Sequence, residues 1–174
     1  MLLYHLIDQP IRGNALYSLY DLKDRYPDLF EIYLKKYTER NRVFILDVPV
    51  PHLECRWSDC VFLSAIHPQQ ITEALHTVTG QRQPFGYFEI PITNLATEKL
   101  VRYSGRGFND KQPEDFRPFN PEMIEAGSSL PEKTVRYYQS EVAAGKRPLY
   151  WAFSPQFLYR NSVDLSDYTA LTTK

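Results

Sequence analysis

The chain has 174 residues, 43% of them apolar and 24% charged, with a formal net charge of −1. That balance is the ordinary one of a folded globular domain and excludes global disorder, and near-neutrality excludes nucleic-acid binding driven by bulk phosphate neutralisation. Seven glycines never fall into a GxGxxG or GxxxxGKS/T spacing, so phosphate-cradling loops have no support, whereas 13 tyrosines, 10 phenylalanines and 2 tryptophans dominate the composition.

Taken in chain order, Leu2 to Ile7 is a short, nearly all-apolar run that predicts a strand covered on both faces. It is too short for a secretory core and no apolar window approaches a bilayer span, so the expected setting is cytoplasmic, with no membrane partner. Pro10 and Gly13 mark a turn, and Ala15 to Tyr17 reads as extended. Ser18, three residues before Asp21, resembles a helix cap. Pro27 suits a first helical turn, after which Leu29, Phe30, Tyr33, Leu34 and Tyr37 recur at helical spacing, with Glu31, Lys35, Lys36 and Glu39 on the other face.

Arg42 to Val50 is β-rich and closed by Pro49 and Pro51, and Cys60 to Ile66 reads as an interior strand. His67-Pro68 opens a helix with Ile71, Leu75 and Val78 on one face and Gly80 as its left-handed stop. Phe85 to Ile90 and Lys99 to Tyr103 predict two more strands. From Ser104 to Ser129 periodicity disappears, which predicts a long 104–129 loop held on the body by Phe108, Phe116, Phe119 and Met123. Ser129-Leu130-Pro131-Glu132 starts a helix that Gly145 ends, followed by strands at Leu149 to Phe153 and Phe157 to Tyr159 and an edge piece at Tyr168 to Leu171. The class is α+β: one domain over 1–174, a mixed, largely antiparallel sheet and about three interspersed helices.

Chemistry is less plainly written. His52, Glu54, Asp59 and His67 are candidate metal ligands, but they flank a strand without paired-ligand spacing, and turn or helix-start roles explain them; no metal and no cofactor is expected. Cys55 and Cys60 enclose so short a loop that a disulfide needs an unusual bend, so both are read as free structural thiols. Ser64 lies inside an apolar strand and has no GxSxG context. Lys99, Arg102, Arg106 and Lys111 interleave with Tyr103 and Phe108, a mixture suited to an anionic ligand. Tyr4 and His5 face opposite sides of their strand, and a histidine on an apolar strand needs a hydrogen-bond partner.

Two resemblances bear on these residues. The Tyr4-His5 pair on an early strand resembles the ADP-ribosyltransferase-type arrangement, which implies a nucleotide-handling site built from His5, Tyr17 or Tyr20, and Glu89 or Glu141. Leu6 stands where that arrangement has a small hydroxyl residue. The segments Leu3 to Leu19, Leu53-Glu54-Cys55 with Trp57 and Asp59, Leu63 to Ile66, and Leu158-Tyr159 with Ser162, Asp164 and Ser166 are similar to a small bacterial family of group-specific proteins. That likeness implies an intracellular bacterial protein and carries no activity. Two functions follow from different classes. One is a non-catalytic module binding a protein or small molecule through an aromatic surface that includes Tyr4, Tyr20, Arg102, Tyr103, Arg106 and Phe108. The other is a nucleotide-handling enzyme using His5, Tyr17 and Glu141.

Overall fold

The computed structural model describes residues 1–107 and 109–174. Strands β1 (Leu2–Ile7) and β2 (Ala15–Leu16) precede helices α1 (Leu19–Arg25) and α2 (Pro27–Thr38). A 3-10 segment, Val43–Asp47, leads into β3 (Pro49–Val50) and β4 (Cys55–Arg56). A second, Trp57–Asp59, leads into β5 (Val61–Leu63) and α3 (Pro68–Thr79). Then come β6 (Gly86–Pro91), β7 (Leu100–Tyr103), β8 (Phe116–Pro118), α4 (Glu122–Ala126) and α5 (Glu132–Ala143). Last are β9 (Gln156–Tyr159), β10 (Val163–Asp164) and β11 (Leu171–Thr172).

Local chemistry explains the main helices. Ser18 Oγ accepts the Asp21 amide at 3.1 Å, satisfying an orphan donor at the start of α1, and Pro27 opens α2 where its missing N–H costs nothing. The His67 ring takes the cap position of α3, its Nδ1 accepting the Gln69 amide at 3.1 Å. Gly80, at φ 73°, ends that helix in the left-handed region.

The strands form two larger sheets, ordered β1-β6-β11 and β5-β9-β7-β8, with every described ladder antiparallel. A bridge joins them: Tyr4 N–H donates to Ser64 O at 2.7 Å and Ser64 N–H to Tyr4 O at 2.9 Å. Along β9, Phe157 and Tyr159 enter one apolar cluster with Leu3, Leu63, Ile90 and Leu100, while Leu158 enters another with Ile45, Val101 and Tyr103. That strand is covered on both faces, as its unbroken apolar run requires. A third cluster packs Leu6 of β1 against Ile71 and Leu75 of α3, Tyr138 of α5 and Tyr150.

The α+β class stands, with five α-helices among the described residues where about three were expected and with antiparallel pairing throughout the described ladders. Three local expectations need correction. Arg42 to Val50 is a 3-10 turn followed by a two-residue strand: Val43 and Phe44 are exposed, Ile45 is buried, and proline at 49 and 51 removes the donors a longer ladder needs. Leu149 to Phe153 forms successive turns, closed by Ala152 N–H to Leu149 O and Ser154 N–H to Trp151 O, both 3.2 Å. The 104–129 segment is no plain loop, because it carries β8, paired to β7, and the short helix α4. Elements of three to five residues are too short to show a hydrophobic period.

Candidate functional site: a cavity where two strands part

Beyond the Tyr4–Ser64 bridge, β1 and β5 separate. The next bond between them comes from a side chain: His5 Nδ1 lies 3.0 Å from Phe62 O. A carbonyl only accepts, so Nδ1 carries the proton. Burial lowers the imidazole pKa, which favours the neutral ring and leaves Nε2 as an acceptor. His5, Leu6 and Asp8 on one side and Cys60 to Leu63 on the other bound a cavity of about 170 Å³ at the seam between two apolar clusters.

Rings form much of its wall. Trp57 stands edge-on to Tyr103, centroids 5.3 Å apart, and lies 4.7 Å from Phe62. Tyr33 and Tyr37 reach it from α2, Tyr17 from the end of β2, and Tyr150, Trp151 and Phe153 from the turns before β9. The phenols are anchored: Tyr33 Oη donates to Pro10 O at 3.0 Å and Tyr103 Oη to Gly107 O at 2.5 Å. Burial, with Asp8 nearby, pushes the Tyr33 phenol up to about 12.

Three cations share this wall, Lys36, Arg42 and Lys111, against one carboxylate, Asp8, among the described lining residues. Lys111 Nζ sits 4.3 Å from the ring centres of both Trp57 and Tyr103 and donates to Tyr103 Oη at 3.1 Å. Burial first, then the charge of Arg42, brings the Lys111 amine down to about 8. Burial also lowers the Arg42 guanidinium, whose Nε donates to Asn109 Oδ1 at 2.9 Å. The turn carrying Lys111 depends on Gly107: a Cβ there would lie 1.7 Å from Asp110 O. Asp115, buried below that turn, accepts from Gln112 N–H and Arg106 Nε at 3.0 Å and from Ser104 Oγ at 2.8 Å.

Of the sequence-predicted residues, Tyr4, His5, Tyr17, Tyr103 and Lys111 line this cavity. Tyr4 also packs edge-on against His67 and Tyr87, with centroids 4.9 and 6.2 Å away. Glu141 does not join them; it pairs with Arg40 at 2.9 Å. Glu89 lies opposite Tyr4 in the β1–β6 register, outside the lining. Tyr20 is exposed on α1 with the Arg56 guanidinium 5.3 Å from its ring, Arg102 faces Arg117 across β7–β8, and Arg106 is held by Asp115. Phe108 lies outside the described residues. His52 and Glu54 border a separate hollow, Asp59 caps the 3-10 turn Trp57–Asp59 and His67 caps α3, and among the described residues no three metal-ligating groups come together.

No protein family, curated protein or solved structure matches the chain, so its chemistry is read from these residues alone. Among the described residues no helix is long and apolar enough to cross a membrane. Asp8, Tyr33, Lys36, Tyr37, Arg42 and Trp57 are among the lining residues that the sequence did not mark as a site. Lys36, expected on the face of α2 opposite its tyrosines, instead lies beside them, its Nζ 5.6 Å from the Tyr33 ring and 5.7 Å from that of Tyr37, because Tyr33, Lys36 and Tyr37 are spaced i, i+3, i+4.

Proposed function

We propose that the protein is a non-catalytic small-molecule-binding module whose ligand is a planar aromatic anion, held where β1 and β5 part. The observation that carries this reading is the gathering of Lys36, Arg42 and Lys111 in a ring-lined cavity. Burial disfavours the charged forms of Arg42 and Lys111, and Arg42 further disfavours that of Lys111. A bound anion offsets both penalties, while the rings offer stacking faces at little cost in conformational entropy. Rings that converge inward on a concave surface fit a small molecule better than a flat protein partner. A bacterial, cytoplasmic setting belongs to the same reading and is supported by the group-specific likeness.

A thermal-shift series with nucleoside monophosphates, aromatic carboxylates, the parent nucleosides and inorganic phosphate tests it. Planar anions at about 100 times their Kd should add about 2.7 kcal/mol, a rise of several degrees in Tm, and uncharged nucleosides much less. Equal shifts for nucleoside and nucleotide, or none with any planar anion, would sink the reading.

One observation favours a second reading, the ADP-ribosyltransferase-type enzyme: His5 and Tyr17 border the same cavity, and His5 offers a neutral acceptor nitrogen there. Glu141, the carboxylate that reading invoked, is engaged with Arg40 instead. Release of nicotinamide from NAD by the purified chain, abolished in His5→Ala, would favour it over simple binding.

A further inference from the structure

The sequence alone made a bond between Cys55 and Cys60 look geometrically difficult. The 3-10 turn Trp57–Asp59 supplies the bend. Cys60 N–H donates to Trp57 O at 3.3 Å, Arg56 N–H donates to Asp59 Oδ2 at 2.8 Å, and the chain doubles back so that the two Sγ atoms lie 3.6 Å apart. The pair is unequal. Cys55, at the start of β4, is partly exposed; Cys60 is 1% exposed and forms part of the cavity wall.

We propose that Cys55 and Cys60 form an oxidation site, at which a hydroperoxide converts the two thiols into an intramolecular disulfide at the edge of the cavity. The environment assigns the roles. The hydrogen bond from Cys60, helped by the charge of Arg160, lowers the Cys55 thiol against the opposing effects of burial and Asp59. The same bond and burial push the Cys60 thiol up, so Cys60 keeps its proton. Cys55 is therefore the thiolate that meets the oxidant, and Cys60 is the resolving thiol.

The Cys55 sulfur attacks one peroxide oxygen, forming an S–O bond and breaking the O–O bond; the departing oxygen takes a proton and leaves as an alcohol, or as water when the oxidant is hydrogen peroxide. Cys60 then gives up its proton and attacks the Cys55 sulfenic acid. The S–S bond forms, the S–O bond breaks, and the hydroxyl leaves as water. Two thiols lose two electrons and two protons, and the peroxide is reduced by the same two electrons. Joining the sulfurs draws Cys60 towards β4, and Trp57, which lies between the two cysteines in sequence and carries Lys111 over its ring, moves with that turn.

The test uses the full chain, exposed to one equivalent of hydrogen peroxide and then alkylated and weighed intact. The expected product is monomeric, lighter by two hydrogens, closed to alkylation at both cysteines, and returned to two free thiols by dithiothreitol. Under the same exposure Cys60→Ser should hold Cys55 as a sulfenic acid trapped by dimedone, and Cys55→Ser should leave Cys60 unmodified. Two alkylatable thiols after treatment, oxidation of Cys60 first, further oxidation of Cys55 without a bond to Cys60, or disulfide-linked dimers would each overturn the proposal. The readout is the thiols themselves, so this result is independent of what the cavity binds.

Discussion

The two edges of β1 are made of the same residues and are used in opposite ways. Against β6 the strand pairs along its whole length, Leu2 to Ile7, and the side chains around that ladder include Leu3 and Ile90, both with no exposed surface. Against β5 it makes one bridge, at Tyr4 and Ser64, and then hands the next carbonyl, that of Phe62, to the imidazole of His5. Each backbone hydrogen bond given up costs about 1 kcal/mol net, far less than leaving a buried carbonyl unsatisfied. A side chain that caps the parting strands therefore lets the sheet open at small cost. The contrast teaches where binding capacity arises in this molecule: the paired edge holds the body together, and the open edge exposes anchored rings and buried cations to a ligand.

The largest test of that contrast lies on the paired edge. Ile90→Ala removes a fully buried side chain from the cluster containing Leu3 and Phe157, and should cost about 2–5 kcal/mol in urea unfolding. A loss below about 1 kcal/mol would show that this ladder is not the stable half.

Next in size is Asp115→Ala, which removes the support of the turn bringing Lys111 to the open edge. Burial alone would raise the Asp115 carboxyl, but bonds from the Gln112 amide, Ser104 and Arg106 together hold it below its ordinary value. The substitution leaves those donors without their acceptor and should cost about 2–3 kcal/mol. A depressed carboxylate contributes stability that is complete above its unfolded pKa of about 3.9 and is lost as pH falls through the lower folded value. Acid unfolding curves of the wild type should show that loss, and Asp115→Ala should flatten it.

How much of this could be read from the sequence depends on the range of the interaction. Leu2–Ile7, the Ser18 cap, Pro27 and the His67-Pro68 start with Gly80 as stop were legible because each signal lies within a few residues of the structure it sets. Val43 to Asp47 misled because β-branched and aromatic residues in sequence do not reveal whether a partner strand exists, and Phe44 faces solvent. The site was legible in part: His5 was recognised as needing a bond, and the mixture of Lys99, Arg102, Arg106 and Lys111 with Tyr103 and Phe108 contained one pair, Lys111 and Tyr103, that the structure brings to 4.3 Å at the cavity. Glu141 illustrates the opposite limit. Its partner Arg40 is remote in the chain, and nothing local to Glu141 shows that its carboxylate is committed there.

On the open edge the stability costs shrink while the binding effects grow. His5→Ala leaves the Phe62 carbonyl without its donor and should cost about 1–2 kcal/mol, measured by urea unfolding, with hydrogen exchange along β6 unchanged. Faster exchange along β6 would mean that the two edges of β1 are not independent.

Lys36→Met should separate the two halves most sharply. Lys36 Nζ lies 5.6 Å from the Tyr33 ring centre and 5.7 Å from that of Tyr37, on the cavity side of α2. Methionine keeps an unbranched stem against those rings and loses only the charge, so stability should change by no more than about 0.5 kcal/mol. If the cavity takes a planar anion, the lost charge-assisted contact removes about 1.5 kcal/mol of binding, roughly a tenfold rise in Kd by calorimetry, and the affinity of the parent nucleoside stays as it was. The size of the change in Kd matters less than its selectivity. An equal loss for charged and uncharged ligands would mean that Lys36 shapes the wall of the cavity without reading charge, and the open edge would then differ from the paired one in packing alone.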